Sequence, residues 1–241
     1  MKCLNCGHEF DTPYCGGCGQ RASSGKLSMA DVRQAVQSEL HLSRGWLRTV
    51  VELTRRPGRM IRDYLDGHRV VYIGPVRYSL TIMAMTIFLT FSVLPPMFGV
   101  PVDADDAALQ KAMLEASQRF GQFIGVLHAP IFALLAWAIF FRSGLGYAEH
   151  LTASLYCTGH LTLVSSLFLP FDSVLETGGL VTSGVFYGLG ILYLALVLRH
   201  LVARSWWTAG LASIAILFGG ATICCAGWVP IVVILAFRSV A

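Results

Sequence analysis

An all-α helical bundle embedded in a membrane is the fold class this sequence predicts, on three observations. The first is composition: 55% of the 241 residues are apolar and only 13% are charged, which leaves too little polar surface to coat a water-soluble domain of this size. The second is the distribution of charge. Twelve of the 18 Lys and Arg residues lie between Lys2 and Arg77, so the remaining two thirds of the chain is nearly bare of positive charge. The third is a series of apolar stretches near the ~20 residues that cross a hydrocarbon core, at 76–98, 122–141, 151–171, 180–198 and 207–237. Together they predict about five transmembrane helices. The last stretch is long for one straight crossing, and Gly219, Gly220, Gly227 and Pro230 predict a bend, a strong tilt or a re-entrant turn near its end. No cleavable leader is expected, because the first twenty residues are rich in Cys and Gly where a leader has a basic start and an apolar run.

Ahead of the bundle, residues 1–20 read MKCLNCGHEFDTPYCGGCGQ. Cys3 and Cys6 form one C-x-x-C, Cys15 and Cys18 a second, and each pair is followed by Gly. A two-residue gap lets one tight turn aim both thiolates at a single metal, and a glycine eases the backbone where amides turn toward the sulfurs. The pattern predicts a small structural zinc ribbon, folded largely by its metal because so short a segment buries almost no core. A rubredoxin-type iron site uses the same four thiolates and is the alternative; a thioredoxin-like redox pair lacks its βαβ setting. Four thiolates leave no open coordination position, so this metal is not catalytic. The segment between Cys6 and Cys15 is expected to form a short hairpin with Phe10 and Tyr14 covering the metal, and His8 to be a solvent-facing loop residue.

Residues 21–75 form a linker and a basic collar. Ser28 and Asp31 fit a capping box. Met29, Val32, Val36, Leu40, Leu47 and Val50 then fall on one helical stripe, with Arg33, His41, Arg44, Arg48 and Arg55 mostly opposite. Such an amphipathic helix suits a membrane surface, or packs on protein with a solvated basic face. Gly45 is a candidate break, and Pro57 is placed to open a new short helix. Arg55, Arg56, Arg59, Arg62, Arg69 and Arg77 crowd the approach to the first span against only Asp63 and Asp66. These six are candidates for binding the phosphates of anionic lipids, or serve as topology signal alone. A nucleic acid is disfavoured as partner, because the adjoining span makes headgroups the nearer polyanion.

Positive charge in short loops orients the bundle. The N-terminal region, the 142–150 loop with Arg142 and the 199–206 loop with Arg199 and Arg204 are predicted to face the cytoplasm. The 99–121 segment carries Asp103, Asp105, Asp106 and Glu115, and is predicted to lie opposite. A cytoplasmic N-terminus keeps the four thiols reduced.

The polar groups within residues 76–241 are few. His128, Glu149, His150 and His160 are the candidates for an intramembrane site, a second metal centre or a proton relay if they converge. Interhelical hydrogen bonding is the plainer reading. His150 and His160 on one helix lie about 15 Å apart along its axis, too far to share a metal. Cys157, Cys224 and Cys225 read as small packing residues, and Trp206, Trp207 and Trp228 as interface anchors.

Three stretches together resemble a family of uncharacterised bacterial multi-pass membrane proteins with an N-terminal zinc ribbon. They are YCGGCGQ at 14–20, RPGRMIRDYLDGHRVVYIGPVRY at 56–78 and EHLTASLYCTGH at 149–160. The second block carries the resemblance furthest, through Pro57, Gly58, Ile61, Tyr64, Gly67, Arg69, Tyr72 and Pro75. Members of that family often have a His or an aromatic residue where this chain has Tyr156 and Cys157. The resemblance implies a bacterial cytoplasmic membrane and carries no activity with it.

The sequence contains no nucleotide-binding loop, nucleophile elbow, H-E-x-x-H or paired intramembrane carboxylates. The expectation is therefore a non-enzymatic inner-membrane protein whose cytoplasmic ribbon docks a protein partner while the collar contacts the bilayer and its anionic lipids. A small transporter or lipid-handling protein is the alternative, and an intramembrane metal-dependent enzyme a third.

Overall fold

A computed structural model describes residues 1–22, 29, 45–89, 128–175, 180–203 and 205–240, the side chains of 172–173 and 224–240 excepted. Ser28 and Asp31, most of the expected surface stripe, the acidic 99–121 segment and Arg204 lie outside the described residues. So do the side chains of Cys224, Cys225 and Trp228. Beyond the N-terminal cysteine segment the described chain is helical, with no named strand.

Two short helices open it, α1 (Trp46–Arg55) and α2 (Pro57–Leu65). Pro57 is the reason they are two. It lacks the N–H that would continue α1, and it opens α2 at the position where that N–H is not needed. Gly45 stands at the N-terminus of α1, where a Cβ would come within 3.1 Å of the Val71 carbonyl oxygen. This side of α1 therefore lies directly against the chain that follows α2. α1 buries Thr49 and Leu53, whereas Leu47 of the expected apolar stripe is 70% exposed. α2 buries Met60, Ile61, Tyr64 and Leu65.

These side chains share one core with Tyr78, Ile82, Tyr156, Val197 and Leu217 from the helices beyond. The collar is thus built into the bundle.

The remaining helices are α3 (Pro75–Phe88), α4 (His128–Ile139), α5 (Tyr147–Ser166), α6 (Leu169–Leu175), α7 (Leu180–Leu201) and α8 (Trp206–Val240). α5 is central: every residue from 148 to 161 is buried, polar ones included. It packs chiefly on α3 and α7. Gly159 allows this, since a Cβ there would come within 3.1 Å of Ser79 on α3. The expected third span ends earlier than 171. The helix stops at Ser166 and α6 begins after two residues, because Pro170 disfavours helical backbone just before it and fits a helix's first turn.

Among the described residues, two helices are long and apolar enough to cross a membrane: α7, and α8 over its Trp206–Ile223 part. Both turn large apolar side chains outward, Leu189 and Leu192 on α7, Trp207, Leu211 and Phe218 on α8. α8 runs as one continuous helix of 35 residues through Pro230, without turning back. That is about 50 Å at 1.5 Å per residue, well beyond the ~30 Å of a hydrocarbon core. Phe132 of α4 seats on Gly220 of α8, at a distance that leaves no room for a Cβ.

The joint between collar and bundle is buried backbone. Ile73 is 2% exposed and lies in the non-helical link between α2 and α3. Its N–H donates to Thr49 Oγ1 at 2.9 Å, and its carbonyl accepts from the Tyr156 hydroxyl at 2.5 Å. Replacing Tyr156 with Phe strands that carbonyl in an apolar surrounding. The expected loss of stability is about 1–3 kcal/mol, read from denaturant unfolding of the purified protein; an unchanged midpoint contradicts the assignment of Tyr156 as the tie between α5 and the link.

Candidate functional site

Residues 1–22 are built as two copies of one turn, twelve residues apart. In the first, Gly7 N–H donates to the Cys3 carbonyl, Cys3 N–H to that of His8 and Phe10 N–H to that of Met1. In the second, Gly19 donates to Cys15, Cys15 to Gln20 and Ala22 to Pro13. Gly7 and Gly19 have φ of 76° and 75°, the left-handed conformation that such a turn requires and that side chains resist. Each turn is flanked by its own antiparallel bridge, Lys2 with Glu9 and Tyr14 with Arg21. This differs from the expected single hairpin between the cysteine pairs. Tyr14 is 58% exposed, so it does not cover the centre.

The two turns bring all four sulfurs within 4.8 Å of one another. Cys3 Sγ lies 3.6 Å from Cys18 Sγ, and Cys6 Sγ 3.5 Å from Cys15 Sγ. A tetrahedron with Zn–S bonds of ~2.3 Å has edges of about 3.8 Å, so the residues present fit a four-thiolate metal. None of the four is in a disulfide. The electrostatics of the four thiols favour a cation among them. The backbone N–H of Cys6 pulls the Cys3 thiol down to about 6. At Cys6 the His8 N–H also pulls down, but the Cys18 thiol, burial and the thiols of Cys15 and Cys3 outweigh it and push the group up to about 12. Thiols this close do not all ionise unless positive charge sits between them.

The cysteine head is seated on the collar by a residue that spacing did not single out. Gln20, 6% exposed, donates from Nε2 to the Gly67 carbonyl at 2.6 Å and accepts at Oε1 from the Arg69 N–H at 3.3 Å. Gly67, at φ 111°, is where α2 turns off, and Leu4 packs so close that a Cβ there would lie 2.8 Å away. The signal for Gln20 is in the repeat. It holds the place in the second turn that His8 holds in the first.

The other sequence-predicted residues go to separate partners. Among the arginines, Arg62 donates to the Leu201 carbonyl at 3.0 Å and Arg69 to the Tyr64 carbonyl at 3.4 Å. Arg56 is paired with Glu52 at 2.8 Å. Arg77 is half-buried at the start of α3, while Arg55 and Arg59 are exposed. Glu149 accepts from the Gly146 N–H at 2.6 Å and so closes the start of its own helix. His128 lies beside Phe132. His160 sits between helices: Nδ1 is 2.8 Å from the Tyr78 hydroxyl, Nε2 is 3.2 Å from Thr54 Oγ1, and its ring stacks near that of Tyr193. His150 Nε2 and Thr158 Oγ1 are buried without a hydrogen-bond partner among the described residues. Both line a hollow of ≈20 Å³, room for about one water. Among the described residues, the four cysteines are the group of three or more metal-ligating side chains that converges.

The described residues define a helical chain with four N-terminal cysteines placed where they could hold a metal ion. Residues 44–87 match the model of a family described as a protein of unknown function (DUF3667). That match covers α1, α2, the buried link and nearly all of α3, and takes in neither the cysteines nor α5. No curated protein and no solved structure matches the chain.

Two outcomes test the site. Replacing Cys15 and Cys18 with Ser should abolish a stoichiometry of about one metal per chain, measured by elemental analysis of purified protein; wild-type protein without metal contradicts the assignment. Gln20→Ala should leave the metal bound while unprotecting the backbone amide of Arg69, read by hydrogen exchange, since that N–H loses its buried acceptor.

Proposed function

We propose that this chain is a multi-pass protein of the bacterial cytoplasmic membrane, with about five crossings, whose N-terminal zinc ribbon faces the cytoplasm and docks a protein partner without catalysis. The observation that carries the reading is the unbroken chain of support behind the metal. A closed four-thiolate centre sits on the collar through both polar ends of the Gln20 amide, and the collar is buried in the helices through Leu53, Met60 and Ile61, all 0% exposed. Zinc is favoured over iron because a closed four-thiolate site in a structural role suits an ion with no redox chemistry.

The membrane reading is supported by an inverted distribution of polarity. The central helix α5 keeps Thr152, Ser154, Thr158, His160, Ser165 and Ser166 inside, and α7 and α8 present Leu, Phe, Ile and Trp outside. Water would favour the opposite arrangement; hydrocarbon favours this one. The orientation is supported by the C-terminal end of α7, where His200 packs on Gly58 of the collar and the Leu201 carbonyl accepts from Arg62. Two of the basic regions that should share one side of the membrane therefore adjoin. The ≈20 Å³ hollow beside His150 gives a transport route little room.

Reporter fusions should place Met1 and the turn between α7 and α8 on the cytoplasmic side; a periplasmic signal from either rejects the orientation. For the docking role, a photo-crosslinking residue at the exposed Tyr14 position should yield one discrete product in cells. That product should vanish in Cys15→Ser/Cys18→Ser protein that is still membrane-inserted. Absence of any product at Tyr14 in wild-type ribbon rejects docking through this face.

A further inference from the structure

The collar's six arginines do not form one uniform patch. Arg62 and Arg69 spend their donors on the Leu201 and Tyr64 carbonyls, and Arg69 also lies over the Tyr64 ring, 5.9 Å from its centre. They hold the fold together. Arg55, Arg56 and Arg59 instead surround a groove of ≈250 Å³, where the end of α1, the first turn of α2 and the last turn of α7 meet; Leu196 and His200 form its far wall. One water needs ~10–15 Å³, so the groove is ligand-sized.

We propose that this groove binds a phosphate group. Three donors of the right kind converge there. Arg55 and Arg59 are exposed, and neither has a hydrogen-bond or ion-pair partner among the described residues. Arg56 uses Nε and Nη2 on Glu52, which anchors it and leaves Nη1 for a ligand. Glu52 offsets one of the three charges, and Asp63 also acts on Arg56 from the next turns of α2. The groove remains net positive. A guanidinium presents paired N–H groups that match two phosphate oxygens, which a point charge does not.

The backbone agrees with the side chains. α2 starts with no side-chain cap and no acidic residue in its first turn. Pro57 has no N–H, so the amides of Gly58 and Arg59 are the first-turn donors left without an intrahelical acceptor. Gly58 is required by the wall. A Cβ there would lie 2.5 Å from the His200 Cβ, so only glycine lets α7 close the groove against this turn. His200 is held in turn by Nδ1 donating to the Leu196 carbonyl at 3.0 Å. Arginines serving topology alone need neither a concave wall nor uncapped amides.

The same chemistry is offered by the headgroup of an anionic phospholipid and by a soluble phosphate or phosphate monoester. The groove lies at the end of α7, a helix long enough to span a bilayer, and this favours the lipid. The lipid source rests on the membrane reading above; the soluble one does not, so the two can fail separately.

The test uses the full-length protein in nanodiscs, comparing wild type, Arg55→Gln/Arg59→Gln and a charge control, Arg142→Gln. Bound lipid is counted by native mass spectrometry after exposure to phosphatidylglycerol in a phosphatidylcholine background. In neutral nanodiscs, inorganic phosphate is titrated calorimetrically. The double variant should bind its phosphate ligand about tenfold or more weakly than wild type or Arg142→Gln, from the loss of two charge-assisted contacts. Selective loss of phosphatidylglycerol, uncompeted by inorganic phosphate, identifies a lipid headgroup. Loss of inorganic phosphate binding identifies a soluble phosphate. Equal binding by all three proteins to both probes overturns the proposal. If the double variant fails to fold, phenylglyoxal footprinting of wild type decides: the phosphate ligand should protect Arg55 and Arg59 but not Arg142, and lack of protection overturns it.

Discussion

The structure hangs on the buried backbone of one residue, Ile73. Where α2 ends and α3 begins, the chain leaves helical geometry and still passes through the core, and Ile73 there has no intrahelical acceptor or donor. A buried amide left unpaired costs as much as a lost hydrogen bond and more in hydrocarbon, so partners must come from elsewhere. Thr49 of α1 takes the N–H and Tyr156 of α5 supplies the carbonyl's donor. Three elements far apart in sequence are thereby placed by one residue's backbone. His160, between Thr54 and Tyr78, repeats the tie one turn further along α5.

This explains why α5 is so polar for a buried helix. Apolar contacts alone say little about where one helix sits along another when all surroundings are apolar. Directed hydrogen bonds do, because each donor must meet one acceptor. Ser79, donating to the Leu155 carbonyl at 2.5 Å, and Gly159, which admits α3 at close range, act together to the same end. The histidines that stood out as candidates for chemistry are, in the case of His160, members of this packing network.

A second consequence concerns charge. Once the collar is folded into the bundle, its basic residues cannot all face the same way. Arg62 and Arg69 are drawn onto carbonyls at the ends of α7 and α2, where cations are favoured by the helix dipole. Arg55, Arg56 and Arg59 are left around an uncapped helix start. The cysteine head is seated at the other end of α2, through Gln20 and Leu4 on Gly67. α2 thus has the four-cysteine head at one end and a cationic groove at the other.

What was legible in the sequence was whatever depends on local spacing. The doubled C-x-x-C-G determines two turns that bring four sulfurs together, because each turn closes within five residues. Pro57 determines the break between α1 and α2, and the apolar runs determine α7 and α8, since backbone sterics and length settle these without reference to the rest of the chain. Tertiary structure alone decided the rest. It buried Thr49 and Leu53 and exposed Leu47, seated the cysteine head through Gln20, divided five arginines between structure and groove, and brought His200 against Gly58. Gln20 with Gly67, Arg62 with Leu201 and Gly58 with His200 pair residues dozens to more than a hundred positions apart. A helical stripe records which side of a helix is apolar, but not which neighbour will cover it, and that depends on where the buried polar groups find their partners.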